Sequence, residues 1–243
     1  MANDIVFGIR PVIEAIEAGR QIEKVMIRKG AEGQLLSELS EICRAQRIHV
    51  QQVPVEKLNR TVRGNHQGVV AQISPIVYAD VEDMLAEIPA SQPALIVIFD
   101  GITDVRNFGG IARSAECAGA HGLIVPIKNA APVNADAMKA SAGALNNIPV
   151  CRVGSIRNTI KMLQSTGIRV VAASEKADRT LYDADMTGPT AIVMGSEEQG
   201  ISKEVLKLCD MTVAIPQYGN IQSLNVSAAA AVMLFEAVRQ RLK

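Results

Sequence analysis

The sequence has no excess of either charge and no long hydrophobic run. Its 243 residues include 25 Lys and Arg against 25 Asp and Glu, so the formal net charge is zero. Hydrophobic residues make up 48% of the chain, and an intrinsically disordered protein is thereby excluded. The longest uncharged apolar stretch, Ala228–Phe235, is far too short to span a bilayer, so we expect no membrane association. The acidic Asp4 and the polar start of the chain also argue against a signal peptide.

Cysteine and histidine are too scarce and too scattered to indicate a metal site. No pair of cysteines has the C-x-x-C spacing, and the three histidines form no metal-ligand pattern. Each cysteine is better interpreted as a small buried hydrophobic residue, which suits a reducing compartment. We therefore expect a cytoplasmic protein without a metal ion. The cysteines are Cys43, Cys117, Cys151 and Cys209.

The charges are distributed unevenly along the chain. Residues 1–75 hold 10 basic and 8 acidic side chains, and residues 93–243 hold 15 and 13. Residues 76–92 hold four acids and no base. Neutrality therefore averages two mildly basic regions and an acidic connector, and it does not exclude RNA binding. It predicts weaker nonspecific binding and a gentler salt dependence than a strongly basic protein would show.

Hydrophobic patterning predicts an α/β protein with two domains. Residues 1–75 alternate short helices and strands, as in a small α/β domain, and residues 76–93 form an acidic, Pro-containing linker with one short helix. In residues 94–243, short runs rich in Val and Ile alternate with helical patterns, which favours a mostly parallel sheet covered on both faces. The predicted strands are Leu95–Phe99, Leu123–Val125, Ile168–Ala173, Ala191–Met194 and Thr212–Ile215. The predicted helices are Phe108–Ala118, Ala135–Leu145, Ile156–Ser165, Lys203–Leu208 and Val226–Arg241.

Ligands of parallel sheets bind beyond the carboxyl ends of the strands, so the loops there are the candidate site. The first loop, residues 99–113, places Asn107 at the expected N-cap of a helix and Arg113 nearly two turns later. Free N–H groups at the start of a helix, with an Arg nearby, favour binding of a phosphate. The simpler alternative is that Asn107 only caps the helix and Arg113 is solvated. The close glycines Gly109 and Gly110 allow another segment to approach the helix.

Two further loops carry polar groups. Gly195 and Gly200 enclose Glu197 and its neighbour Glu198, but no Lys-Ser/Thr follows, so this is not a P-loop; a plain acidic turn is the alternative. Residues 215–227 hold more amide and hydroxyl groups than helix capping needs, and such groups suit a purine-containing ligand. These are Gln217, Asn220, Gln222, Ser223 and Asn225.

Taken in order, the three loops resemble the motifs of a known family. N-x-G-x-x-x-R begins at Asn107, G-x-E-x-x-G begins at Gly195, and S-L-N-V-S spans 223–227. This set is similar to that of the SpoU/TrmH family, the SPOUT-class RNA ribose 2′-O-methyltransferases, and in particular to its large-subunit ribosomal RNA guanosine subgroup. FGIRPVIEAI near the start and NHQGVVAQI at 65–73 resemble the family's N-terminal substrate-binding domain.

The resemblance implies an L30e-like N-terminal domain, a C-terminal catalytic domain with a deep trefoil knot, and a homodimer packed through the knot and the final helix. It also implies S-adenosylmethionine as cofactor and RNA as substrate. The implied catalytic residues are Asn107, Arg113, Glu197 and Asn225. The implied cofactor contacts are Met194, Gly195, Ile215, Gln217, Ser223, Leu224 and Asn225. The implied RNA contacts are Arg10, Arg63, His66, Gln67 and Arg113, with a turn role as the alternative for His66.

The expected reaction is displacement of the sulfonium methyl by a ribose 2′-oxygen. Arg113 then holds an RNA phosphate and orients the 2′-hydroxyl, or deprotonates it, although a free guanidinium pKa above ~12 makes deprotonation demanding. Two other classes stay open: a transfer RNA methyltransferase, and a non-catalytic RNA-binding or ribosome-assembly protein of the same fold. A dehydrogenase is disfavoured because the chain lacks G-x-G-x-x-G.

Overall fold

The structure is a computed structural model that describes residues 5–221 and 223–242. Gln222 and Lys243 therefore lie outside the described residues, as do the first four residues of the chain. Contacts between residues divide the chain into two units, Met1–Val77 and Tyr78–Lys243.

The first unit is a four-stranded sheet with helices on it, as predicted for a small α/β domain. The sheet order is β1-β4-β2-β3; β4 runs antiparallel to β1 and β2, and β3 is parallel to β2. Apolar residues of α1, α2 and the sheet, among them Val12, Leu39 and Val69, form the main core. The elements are β1 (Ile5–Phe7), α1 (Ile9–Glu17), β2 (Ile22–Arg28), α2 (Gln34–Ala45), β3 (His49–Val53), α3 (Val55–Thr61) and β4 (Val69–Ile73).

The segment predicted as a linker, residues 76–93, is packed rather than free. Its helix α4 (Val81–Ala86) is capped by the Asp80 side chain, and Met84 is buried in the core of the second unit. A Cβ at Gly122 would lie only 2.0 Å from the Met84 sulfur, so the glycine makes room for this side chain. Burial of its apolar residues places the segment from Tyr78 onward in the second unit, a correction to the connector inferred from its acids and prolines.

The second unit is built on a six-stranded sheet in which every pairing is parallel. The order is β10-β8-β9-β5-β6-β7, with β9 and β5 at the centre. The central strands are buried along nearly their whole length, which explains their continuous apolar sequences. The strands are β5 (Leu95–Asp100), β6 (Gly122–Pro126), β7 (Val150–Val153), β8 (Arg169–Ala173), β9 (Thr190–Gly195) and β10 (Met211–Val213).

The helices of this unit differ from the prediction at two places. Helix α5 begins three residues before the expected start, because Asp104 and not Asn107 is its N-cap; its carboxylate accepts from the N–H groups of Arg106 and Asn107. Helix α6 ends at Ala140, because Ala142 and Gly143 adopt positive φ angles of 50° and 87°. The helices are α5 (Val105–Cys117), α6 (Ala135–Ala140), α7 (Ile156–Ser165), α8 (Lys203–Leu206) and α9 (Val226–Arg241).

Helix α9 combines a buried face with a firmly held end. Met233 and Leu234 are fully buried, whereas Phe235 is half exposed. At its C-terminal end, the Arg241 guanidinium donates to the backbone carbonyls of Pro93, Ala94, Met186 and Gly188. Among the helices of the described ranges, none has the length and apolarity needed to cross a bilayer.

Candidate active site

Three loops meet at the carboxyl edge of the parallel sheet. One follows β5 and leads into α5, one follows β9, and one follows β10 and leads into α9. Since β9 and β5 are neighbours, the first two loops emerge side by side. The polar residues of the three sequence motifs are therefore brought to one edge, as expected for parallel strands.

A hydrogen-bonded cluster joins one side chain from each loop. The amide nitrogen of Asn225 donates to the Asn107 amide oxygen at 2.9 Å and to the Glu197 carboxylate at 2.5 Å. Residues that are separated by 118 and 28 positions in sequence thus share a single donor group. Three of the four predicted catalytic residues are in direct contact.

The orientation of the Asn225 amide is set by helix α9. Its oxygen accepts from the Ser227 N–H at 3.0 Å and from the Ser227 hydroxyl at 2.6 Å, so it is the N-cap of the helix. Since the oxygen is engaged by the first turn, the amide nitrogen must point away from the helix, toward Glu197 and Asn107. The capping role considered from sequence and the site role are therefore performed by opposite ends of one side chain.

The loop after β9 requires glycine at its first position. A Cβ on Gly195 would lie 2.2 Å from the Gly200 carbonyl carbon and 2.3 Å from the Ile201 nitrogen, so no other residue fits without moving backbone. Ser196 and Gly200 pair across the narrow turn, and the Asp100 carboxylate accepts from the Ser202 N–H at 2.7 Å at its far end. These contacts hold Glu197 at the tip of a short, closed loop.

Helix α5 is approached closely by its neighbours at the two predicted glycines. A Cβ on Gly109 would lie 2.5 Å from the Ala140 Cβ, and one on Gly110 would lie 3.1 Å from the Ser227 Cβ. The start of α9 is therefore seated directly on α5. This contact brings Asn225 within hydrogen-bonding distance of Asn107.

Arg113 is not part of the cluster. It lies six residues beyond Asn107 on α5, which corresponds to about 9 Å along a helix axis. Its side chain is exposed, and within the described residues it has no hydrogen bond or ion pair. The guanidinium is therefore free to meet a ligand from solution.

A cavity of about 330 Å³ opens beside the cluster. It lies over the ends of β8, β9 and β10 and against the start of α9, and all seven predicted cofactor contacts line it. These residues are Met194, Gly195, Ile215, Gln217, Ser223, Leu224 and Asn225.

The lining of this cavity fits S-adenosylmethionine chemically. Val213, Ile215 and Leu224 provide apolar walls suited to the faces of an adenine ring, while Gln217 and Ser223 offer polar groups for its edge. Carboxylates at the same cavity, Glu175, Glu197 and Glu198 among them, suit a ligand with positive sulfonium and ammonium groups. The volume lies at the lower end of the range of small-ligand pockets.

A second, larger cavity of about 890 Å³ lies on the other side of the loop after β9. It covers the ends of β9, β5 and β6, and Asn107, Glu197 and Val226 are among its lining residues. Sequence reasoning gave no sign of this cavity, because Lys128 and Asn129 of its wall follow β6 in a loop without a recognisable motif.

The predicted RNA contacts of the first unit cluster at one edge of its sheet, namely the edge where β1 and β2 end and β4 begins. The end of β1 and the end of β2 both lie beside the start of β4, since Phe7 pairs with Val70 and Ile27 with Val69. The exposed residues Arg10, Arg63 and Gln67 belong to the segments at this edge. Gln67 has a positive φ of 49°, and its side-chain oxygen accepts from the Ile9 N–H at 3.3 Å.

His66 differs from this group because it is buried. Its Nδ1 accepts from the Gly68 N–H at 3.0 Å, so its Nε2 is protonated and donates to the Asn59 side chain at 2.8 Å. Both ring nitrogens are thus engaged within the domain. The structure thus shows His66 in the turn role considered as its alternative, and an RNA contact by His66 stays a prediction.

Sequence reasoning missed candidate site residues that carry no motif of their own. Phe7 is 39% exposed, its ring edge would lie 3.0 Å from a Cβ on Gly64, and Arg28 ends β2 at the same sheet edge. An exposed aromatic residue beside arginines is a usable signal for RNA contact. Asp100, which fastens the loop after β9, gave no signal other than its place at a strand end.

Comparisons with known proteins show the family of this chain. The SpoU rRNA Methylase family matches residues 94–235, and the RNA 2′-O ribose methyltransferase substrate-binding family matches residues 5–79. The 23S rRNA (guanosine-2′-O-)-methyltransferase RlmB of Escherichia coli K12 is 37% identical over 244 residues, covering 98% of this chain and 99% of that protein. The putative TrmH family tRNA/rRNA methyltransferase YacO of Bacillus subtilis is 34% identical, covering 98% of this chain and 96% of that protein.

A solved structure with its cofactor is also similar. The SpoU methyltransferase AviRb from Streptomyces viridochromogenes, in complex with AdoMet, matches with a TM-score of 0.64 and 31% identity, over 98% of this chain and 90% of that one. The family matches cover both structural units, and the relatives are similar along nearly the whole chain. The chain belongs to the SpoU rRNA methylase family, the RNA ribose 2′-O-methyltransferases that its three motifs resemble.

Proposed function

We propose that this protein transfers a methyl group from S-adenosylmethionine to the ribose 2′-hydroxyl of a guanosine in large-subunit ribosomal RNA. The observation that carries the proposal is the cluster of Asn107, Asn225 and Glu197 at the rim of a cavity that all seven predicted cofactor residues line. The named activity of the Escherichia coli relative, which is similar over its full length, supports the choice of guanosine and of 23S rRNA.

The cavity residues hold the cofactor in this proposal. S-adenosylmethionine supplies an activated methyl group on a sulfonium, which is already a good leaving group. The protein therefore has to align the two reactants and to increase the nucleophilicity of the hydroxyl. Gly195, Ile215 and Leu224 contribute backbone groups, and Gln217 and Ser223 contribute side chains, to the adenosine part of the site.

The cluster and Arg113 act on the RNA side. Asn225 fixes the side chains of Asn107 and Glu197 through its two short hydrogen bonds, so these groups are already in place before RNA binds. The exposed guanidinium of Arg113 binds a phosphate of the target strand and orients the 2′-hydroxyl. This positioning role needs no change in the protonation of arginine.

The N-terminal unit supplies further RNA contacts at one sheet edge. Arg10, Arg28 and Arg63 are exposed there and offer charge to phosphates, while Gln67 offers an amide. The exposed face of Phe7 is suited to stacking with an unpaired base. A combination of stacking and guanidinium groups is typical of recognition of single-stranded RNA loops.

We also propose a homodimer that packs through helix α9. Ala228, Ala231, Val232 and Phe235 have helical spacing on one side of α9 and are all at least partly accessible. Apolar faces of this kind normally cover a partner. Light scattering at micromolar concentration is expected to give twice the chain mass of 26.0 kDa, and a monomeric mass would contradict the dimer.

The proposed compartment is the cytoplasm. All four cysteines are free; Cys43, Cys151 and Cys209 are buried or half-buried, whereas Cys117 is exposed, which corrects the expectation that each cysteine is buried. Burial raises the pKa of Cys43 to about 11 and contributes most to raising the pKa of Cys151 and Cys209 to about 12. These thiols stay protonated at neutral pH, which suits packing and not redox or metal chemistry.

The deciding experiment is transfer of a labelled methyl group to total RNA from cells that lack this protein. We expect label in the large-subunit ribosomal RNA, at one guanosine that resists alkaline hydrolysis on its 3′ side. Label in transfer RNA would show that the substrate is transfer RNA and not ribosomal RNA. RNA binding without transfer would instead favour a non-catalytic assembly protein.

The role of Arg113 is tested in the same assay. We expect Arg113→Ala to reduce methyl transfer by at least about 100-fold while S-adenosylmethionine affinity stays the same, because the side chain does not line the cofactor cavity. Arg157→Ala is the matched control, since Arg157 is an exposed arginine on α7. Undiminished transfer by Arg113→Ala would overturn the assignment.

A further inference from the structure

The second cavity has a direct relation to the cofactor cavity. The two lie side by side along the carboxyl edge of the sheet, and the loop 196–200 lines both of them. Asn225 lines only the first cavity, Asn107 lines only the second, and Glu197 lines both. The hydrogen-bonded cluster is thus the partition between the two spaces.

This partition determines what the second cavity can hold. A methyl group donated from the first cavity has to reach an acceptor at the partition, so a ribose placed there has its 2′-oxygen near Asn107 and Glu197. The rest of the same nucleoside then has to extend away from the cofactor. The second cavity is the space that lies in that direction.

The width of the second cavity corresponds to a nucleobase. Its walls come from the ends of β9, β5 and β6, which are consecutive in the sheet. With neighbouring strands 4.7–4.9 Å apart, the loop after β6 starts about 9.5 Å from the loop after β9. Lys128, in the loop after β6, and Glu197, in the loop after β9, therefore line the cavity from strands two positions apart in the sheet.

The charge of the lining argues against a phosphate in this space. Five carboxylates face two lysines along the cavity, and such a surplus repels an anionic backbone. A neutral base that offers N–H donors to the carboxylates is a better occupant. The carboxylates are those of Asp100, Asp104, Glu197, Glu198 and Glu204, and the lysines are Lys128 and Lys203.

We propose that the second cavity binds the base of the target nucleotide, and that Lys128 selects guanine by donating to its O6 and N7. This inference rests on the proposed function, because it takes the methyl acceptor to be a ribose at the partition. The surrounding carboxylates, with Glu198 and Glu204 free of hydrogen bonds to other described residues, accept from N1–H and the N2 amino group. The base enters the cavity unpaired and turned out of its stack.

Guanine is the base that matches this arrangement of donors and acceptors. It has the acceptors O6 and N7, which lysine and arginine commonly contact, and next to them two donors on its Watson–Crick edge. Adenine places an amino donor where guanine has O6, so it would face the Lys128 ammonium with another donor. The adjacent acids Glu197 and Glu198 thereby have different tasks: Glu197 belongs to the partition, and Glu198, which lines both cavities, also serves the base pocket.

The test uses RNA fragments that carry guanosine, inosine or adenosine at the methylated position, with wild-type protein and Lys128→Met. We expect Lys128→Met to lower kcat/KM on guanosine by about tenfold and to reduce the preference for guanosine over adenosine by a similar factor. Lys128→Gln, which keeps a donor, restores part of the loss. Inosine lacks the N2 amino group, so the wild type methylates it more slowly, while Lys128→Met loses the same factor on inosine as on guanosine.

Two controls make the outcomes separable. Titration calorimetry with S-adenosylmethionine is expected to give the same affinity for Lys128→Met and wild type, and Lys161→Met, at an exposed lysine on α7, should behave as wild type throughout. If Lys128→Met keeps the wild-type preference for guanosine, either because its activity is unchanged or because it falls equally on guanosine and adenosine, the base pocket is overturned while the proposed function stands. Absence of methyl transfer by the wild type would instead refute the proposed function.

Discussion

Asn225 has two tasks that a substitution can separate. Its oxygen caps helix α9 and its nitrogen binds Asn107 and Glu197. Asp is as good an N-cap as Asn, but it has no donor and would place a second carboxylate beside Glu197. Asn225→Asp, which replaces the amide nitrogen by an oxygen, therefore removes the site function and leaves the cap of helix α9 intact.

We predict that Asn225→Asp lowers methyl transfer by at least about 100-fold while the free energy of unfolding changes little. Asn225→Ala should lose both functions, with a stability loss of about 1 kcal/mol from the missing cap. Urea denaturation and the methyl-transfer assay measure the two quantities on the same samples. Wild-type activity in Asn225→Asp would show that the donor group is dispensable.

For single residues, the sequence indicated which side chains come together better than it predicted what each of them contacts. The motif spacing selected Glu197 over Glu198, and the structure places Glu197 on Asn225. It also suggested Asn107 as a helix cap, which is wrong because Asp104 occupies that position and leaves the Asn107 side chain available to Asn225. Both residues are good caps, so local sequence cannot decide between them.

Among the elements, helix α9 is held at its C-terminal end by one side chain. Arg241 donates to four backbone carbonyls, which belong to the segments before β5 and before β9. The carbonyls of Ala94 and Gly188 also accept from the N–H and the hydroxyl of Thr190, whereas among the described residues only Arg241 donates to the carbonyls of Pro93 and Met186. Arg241 lies in the last turn of α9, where a cation also suits the helix dipole, but its hydrogen bonds in the structure are tertiary.

We predict that Arg241→Met destabilises the protein by about 2 kcal/mol, because four charged hydrogen bonds are lost and the carbonyls of Pro93 and Met186 lose their donor. Arg157→Met, at an exposed arginine of α7, is the control and should change the midpoint of urea unfolding little. Equal midpoints for the two variants would contradict the anchoring role of Arg241.

Elements with strong periodicity were predicted closely, and those decided by tertiary contacts were not. The runs at Leu95 and Ala191 identify central strands because both faces of the sheet are covered, and the α/β class with a parallel sheet is confirmed. The edge strand Val150–Val153 is too short for a pattern, and the partly buried Arg152 interrupts its apolar run. The trefoil knot and the L30e likeness of the first unit stay predictions.

For the whole molecule, zero net charge means that RNA binding depends on a few local groups. The first unit has an exposed basic edge around Arg10, Arg28 and Arg63, whereas the proposed base pocket of the second unit is lined mostly by acids. Opposite local charges cancel in the total, so composition alone does not show them. The protein should therefore recognise a folded RNA by shape and by a small number of phosphate contacts.

The dependence of RNA affinity on salt measures that number. Each phosphate contact contributes about 0.7–0.9 to the slope of log affinity against log salt concentration, so Arg10→Gln with Arg63→Gln should reduce the slope by about 1.5. Arg44→Gln is the matched control, because Arg44 is exposed at the end of α2, near the start of β3 and hence at the opposite edge of the sheet. Fluorescence anisotropy of a labelled target fragment between 50 and 200 mM salt, roughly the range over which such effects are large, gives both slopes. If the double variant keeps the wild-type slope, the basic edge does not contact phosphate, and the charge that binds RNA must come from the second unit, with Arg113 as its first candidate.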